Sequence, residues 1–174
     1  MKVGRKAPAF RLQDETGAWV TLESLKGQRV VLFFYPKAGT TGCTQEACEF
    51  RDALPRFRKA GVAVFGISPD GHRKLAKFKA AQGLTYPLLS DPDAATCQAY
   101  GVWHPKLFWG RYYMGVIRST FVVGADGKVE AAWVDVPHEG HAEAVAAWLR
   151  GGPAPPIAAK STIARPPAGW SPAQ

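Results

Sequence analysis

Two of the three cysteines in this 174-residue chain, Cys43 and Cys48, stand five positions apart in the stretch FFYPKAGTTGCTQEACEF, residues 33–50. The spacing is too wide for a C-x-x-C redox pair, and alone it is too poor in ligands for a zinc site. Cysteine reacts as its thiolate, which is favoured where the first N–H groups of a helix point at the sulfur and a cation lies nearby. Cys43 fits that placement, because an apolar run, a loop opened by Pro36 and a helical composition meet around it. Thr40, three residues earlier, can turn its hydroxyl toward the same pocket. Residues five apart on a helix are separated by about 7.5 Å of rise and about 140° of rotation, beyond the ~7 Å between Cα atoms that a disulfide tolerates. A Cys43–Cys48 bond therefore needs the first turns to unwind, which suits a catalytic cycle better than a permanent staple. The competing reading makes Cys48 a small core residue.

The elements that must position these groups follow from hydrophobic period and turn chemistry. Residues 9–22 predict two short strands about a polar turn, Asp14 to Gly17, and RVVLFFY over 29–35 predicts a buried central strand. A helix should begin near Cys43 and be interrupted by Pro55. Residues 62–70 read as a second buried strand, HRKLAKFKAAQ as a helix, YPLLSD as a third strand, and 94–101 as a short helix ending in glycine. STFVVGADGKVEAAWVDV predicts a hairpin turning at Asp126 and Gly127, followed by a closing helix in EGHAEAVAAWLRGG. This order predicts an α/β fold with a central mixed sheet flanked by helices, preceded by the N-terminal hairpin, and places Cys43 at the carboxyl edge of the sheet. Residues 1–150 form the expected domain. Residues 151–174, proline-rich and without acids, are expected to be a flexible tail with Trp170 as a weak anchor.

Composition narrows the function. At 47% hydrophobic and 21% charged residues the chain is of ordinary globular make-up, and no apolar run approaches the ~18 residues of a membrane span. The N-terminus lacks the apolar core of a signal peptide, so cytoplasm is the expected location. A net charge of +8 invites nucleic-acid binding. Yet the basic residues spread over predicted helix faces, and no RNA motif or finger spacing accompanies them, so neither nucleic acid nor membrane is an expected partner.

Pro36, Thr40 and Cys43 fill the pattern P-x-x-x-[TS]-x-x-C, and YPKAGTTGCTQEACEFRD resembles the bacterioferritin comigratory protein, or peroxiredoxin Q, subfamily of the peroxiredoxins. LLSDPDAATCQAYGVW, YMGVIRSTFVV with Arg118, and the ADGKVEAAW hairpin extend the resemblance over residues 3–149. It implies a thioredoxin-like fold and a thiol-dependent peroxidase acting on hydrogen peroxide and organic hydroperoxides without a cofactor or metal. It further implies Cys43 as the peroxidatic thiol and Cys48 as the resolving one, the two forming a disulfide that thioredoxin reduces. Thr40 and Arg118 would donate to the peroxide, Glu46 would orient the arginine, and Pro36 would shield the pocket. A monomer is expected. Thr41 departs from the proline that many relatives carry there, and the tail has no counterpart in the family core.

Other residues draw plainer readings. Cys97 is expected to be a non-essential buried thiol, and His72, His104, His138 and His141 are scattered without a ligand pattern. A thiol-disulfide oxidoreductase on the same fold is the alternative function, disfavoured by the absence of C-x-x-C. A basic binding module with incidental cysteines is a third reading, separable by salt-sensitive DNA retention.

Overall fold

The computed structural model describes residues 1–153 and 161–172. Nine strands and four α-helices appear among them in the order β1 (Arg11–Asp14), β2 (Trp19–Thr21), β3 (Arg29–Phe34), α1 (Thr41–Lys59), β4 (Val62–Ser68), α2 (His72–Gln82), β5 (Leu88–Ser90), α3 (Ala95–Ala99), β6 (Trp103–Phe108), β7 (Arg111–Val116), β8 (Ser119–Val123), β9 (Val129–Val134) and α4 (His141–Leu149). Seven strands make one sheet in the order β2-β1-β5-β4-β3-β8-β9. β3, β4 and β5 run parallel, and β8 and β9 join antiparallel on the far side of β3. This is the mixed sheet expected.

Strand alternation divides the interior into two cores. On β3, Val31 and Phe33 point to the face covered by α1, α2 and α4, whereas Val30, Leu32 and Phe34 point to the face that holds Cys97 and the N-terminal residues Phe10 and Leu12. Cys43 belongs to the first core. The sheet therefore stands between Cys43 and Cys97.

Two features differ from expectation. Pro55 does not interrupt α1, which runs through it to Lys59. A mid-helix proline removes one backbone hydrogen bond and crowds the preceding turn, at about 3 kcal/mol or more. Beyond it, however, Phe57 is 1% exposed and Leu54 beside it 3%, and burying such side chains is worth roughly 1.5–3 kcal/mol each. The second is a hairpin in a stretch that carried no predicted element: β6 and β7 pair antiparallel from Trp103–Val116 to Phe108–Arg111 as a separate two-stranded sheet.

Of the segment expected to be a tail, residues 161–172 lie against the domain. Thr162 N–H donates to Asp135 Oδ2 at 2.6 Å and its hydroxyl donates to Oδ1. Ala164 N–H donates to the Pro105 carbonyl at 2.8 Å, and the Trp170 ring lies 6.0 Å from that of Tyr112.

Candidate active site

β3 ends at Phe34, the chain turns through Pro36, and α1 starts at Thr41 with Thr40 as its N-cap residue. The first i→i−4 bond of the helix is Thr44 N–H to the Thr40 carbonyl, 2.9 Å. Cys43 therefore sits in the first turn, where backbone N–H groups lack intrahelical acceptors and carry the positive end of the helix dipole. Its side chain is 2% exposed.

Arg118 reaches this turn from the two-residue link between β7 and β8. Its backbone is held on both sides: Ile117 N–H donates to the Val102 carbonyl at 2.7 Å, and Val136 N–H donates to the Arg118 carbonyl at 3.0 Å. The guanidinium forks. Nη2 lies 3.4 Å from Cys43 Sγ, and Nη1 donates to Glu46 Oε1 at 2.7 Å. Glu46, three residues after Cys43 and so on the same helix face, is fully buried. Burial pushes its carboxyl up to about 7, against the pull of the Arg118 charge. Its other oxygen, Oε2, has no partner among the described residues. Burial also draws the Arg118 guanidinium down, and Glu46 and Cys43 more than offset this, leaving it raised.

Cys43 opens into a cleft of about 650 Å³ lined by Pro36, Thr40, Arg118 and, across from them, β6–β7 residues including Lys106, Phe108 and Tyr113. The Thr40 hydroxyl donates to the Lys37 carbonyl at 2.7 Å, so its proton points back into its own loop. Lys106 donates to the Val116 carbonyl at 3.1 Å, and its pKa is lowered by burial and by Arg118. Lys106 escaped the sequence reading because the hairpin that carries it did. Gly42 adds a steric condition: a Cβ there would meet His138 Nδ1 at 3.0 Å and Arg118 Nη2 at 3.4 Å. His138 thus stands over the first turn of α1, a placement that no spacing in the chain signalled.

The remaining cysteines lie apart. Cys48 is half-buried in the second turn of α1, its thiol 3.7 Å from Gln82 Oε1 at the end of α2. Cys97 is buried in α3 on the opposite face of the sheet, where its N–H donates to Asp91 Oδ2 at 2.8 Å and burial pushes its thiol strongly up. No group of three or more potential metal ligands occurs among the described residues.

The description of the AhpC/TSA family matches residues 3–132. The chain belongs to this family. Within it, this peroxiredoxin is 53% identical over 138 residues to a putative peroxiredoxin of Mycobacterium tuberculosis, covering 79% of this chain and 88% of that one. It is 44% identical over 150 residues to peroxiredoxin Bcp of Escherichia coli, covering 86% and 96%. Among solved structures, a peroxiredoxin Q of Xanthomonas campestris superposes with a TM-score of 0.81 at 38% identity, over 87% of this chain and 99% of that one. These relatives place the chain in the Bcp/peroxiredoxin Q group, with the thioredoxin-like fold expected, and make it a thiol-dependent peroxidase. Peroxides are its substrates and a thiol compound its reductant.

Proposed function

We propose that this peroxiredoxin reduces hydrogen peroxide and organic hydroperoxides through Cys43, resolves through Cys48, and is recycled by thioredoxin. The observation that carries the reading is the Glu46–Arg118–Cys43 fork, with Nη1 at 2.7 Å from the carboxylate and Nη2 at 3.4 Å from sulfur. A cation fixed beside the sulfur lies where the departing oxygen gathers charge. The Cys43 thiolate attacks one peroxide oxygen; the S–O bond forms as the O–O bond breaks. Sulfur is oxidised by two electrons, the other oxygen leaves as an alkoxide or hydroxide, and it takes a proton from water. Arg118 and the Cys43 N–H donate to that oxygen. The Thr40 hydroxyl joins them after leaving the Lys37 carbonyl, and Pro36 keeps water from the thiolate.

The sulfenic acid is resolved when the Cys48 thiolate attacks the Cys43 sulfur, expelling hydroxide and forming the disulfide. α1 must unwind for this. Thiol–disulfide exchange with thioredoxin restores both thiols. The catalytic unit is residues 1–150, acting as a cytoplasmic monomer, with 151–174 as an appendage. Peroxide consumption coupled to thioredoxin and its reductase tests the reading. Cys43→Ser should abolish turnover, since a serine hydroxyl is not appreciably ionised at neutral pH; retention of more than a few per cent of turnover would overturn it.

A further inference from the structure

The β6–β7 hairpin forms one wall of the Cys43 cleft, and its tip projects into water beside that wall. Leu107, Phe108 and Trp109 are 52%, 65% and 88% exposed, and Tyr113 is 43% exposed. Contiguous exposed apolar surface of this kind marks an interaction site on a water-soluble domain. The turn is also unusual. Trp109 and Gly110 form a two-residue connection with φ of 49° and 74°, both in the left-handed region. Turns with this backbone favour Asn-Gly or Asp-Gly, and a bulky aromatic at positive φ is a strained choice that local folding does not explain.

Charge says what the tip meets. No acidic residue occurs between Ala94 and Ala125, and none in 151–174. Arg111 is exposed beside the turn. The docked segment 161–172 runs along the same hairpin through its bond to Pro105 and its contact with Tyr112, and brings exposed Arg165 to that side. The whole chain carries +8. A projecting turn with an indole at its apex and arginines behind it has the make-up of an interfacial anchor: Trp favours the headgroup boundary, and basic residues are drawn to an anionic leaflet. A protein partner would be met by a broader patch with packing complementarity than a single convex turn supplies.

We infer that the β6–β7 tip docks this peroxiredoxin on anionic phospholipid bilayers. Leu107, Phe108 and Trp109 enter the headgroup boundary while Arg111 and Arg165 meet lipid phosphates. No spanning helix is needed for this, and none long and apolar enough exists among the described residues. Because Phe108 and Tyr113 also line the Cys43 cleft, docking turns the mouth of the cleft toward hydroperoxide groups on the acyl chains of the bilayer itself. That consequence, unlike the docking, rests on the peroxidase role of Cys43.

Co-sedimentation of the full chain with vesicles of phosphatidylcholine plus phosphatidylglycerol, against phosphatidylcholine alone, tests the docking. Binding should need the anionic lipid, weaken with salt, and fall at least about tenfold in Leu107→Ser/Trp109→Asn. Asn suits the turn, and neither residue lines the Cys43 cleft, so turnover of hydrogen peroxide should persist and report an intact fold. Turnover of hydroperoxide-bearing vesicles should fall in the same variant. Absence of binding to anionic vesicles overturns the proposal, as does equal binding by the variant. So does a variant that leaves vesicle binding unchanged but raises the KM for thioredoxin, which would make the tip a protein-docking surface. Cys43→Ser should still sediment with vesicles; if it does so and wild type consumes no peroxide, the peroxidase reading fails and the docking stands.

Discussion

Glu46 joins the chemistry of the site to its acid–base behaviour, since it holds Arg118 from full burial. Replacing Arg118 by Met should slow the reaction of Cys43 with peroxide by roughly two orders of magnitude, because both the thiolate and the departing oxygen lose their cation; stopped-flow Trp fluorescence measures it, and an unchanged rate would place the guanidinium outside the reaction. Two buried groups near Arg118 should also shape stability against pH. The Glu46 carboxyl is raised from 4.5 to about 7, so between those values the folded chain keeps a proton that the unfolded chain has released, and stability falls as pH rises. His141 bonds Thr120 Oγ1 at 2.7 Å through Nε2, and burial, aided by Arg118, lowers its pKa from 6.5 to about 4. There the unfolded chain holds the extra proton, and stability falls as pH drops. The two windows overlap and oppose each other. Urea midpoints of the wild type should therefore vary less with pH between about 4.5 and 6.5 than those of either single variant. Glu46→Gln should lose stability on acidification across this range, and His141→Gln should lose it as pH rises. Parallel profiles for all three would refute the opposition.

Among the elements, α1 carries the conflict between geometry and chemistry. Its second and third turns are tied down: Tyr86 donates to the Ala47 carbonyl at 2.7 Å, Arg51 to the Gln82 carbonyl at 2.6 Å, and the Cys48 thiol lies beside Gln82 Oε1. Forming a Cys43–Cys48 disulfide must loosen these ties, so amides around 43–48 should exchange faster in the oxidised protein than in the reduced one. Peptide mapping should find that pair. Cys48→Ser should consume one equivalent of peroxide and then stall unless an outside thiol intervenes; normal cycling with thioredoxin would remove Cys48 from the resolving role. Strand and helix identities were legible because their patterns are strong: RVVLFF is buried from Val30 to Phe34, and Cys43 follows directly on the proline loop. Position on α1 was legible for Cys43 and Glu46. Pro55 misled because the local penalty is visible in sequence, whereas the packing of Phe57 that outweighs it is not. The β6–β7 hairpin was missed for a related reason: its turn is Trp-Gly rather than Asn-Gly, and its side chains do not alternate between a core and water. With it went Lys106. His138 and Gly42 meet only in three dimensions.

For the molecule as a whole, the docked C-terminal segment bridges parts the main sheet leaves separate, from Asp135 beyond β9 to Pro105 and Tyr112 on the hairpin. None of its described contacts reaches Cys43, so deleting 153–174 should leave reduction of hydrogen peroxide intact while amide exchange across 103–116 accelerates. Loss of peroxidase activity on deletion would show that the segment serves the chemistry. The division of the interior into two cores has a wider consequence. Every turnover by the proposed route breaks open part of one side of the protein, and a chain with a single core would risk its whole architecture each time. Here the face opposite α1 keeps its own packing, from Phe10 and Leu12 to Cys97 and Phe121, with no part in the event. It preserves strand register while the other side is remodelled, so the helix returns to a template still in place. Cys97, sealed behind that template, lies across the sheet from Cys43 and from the side that the proposed route opens.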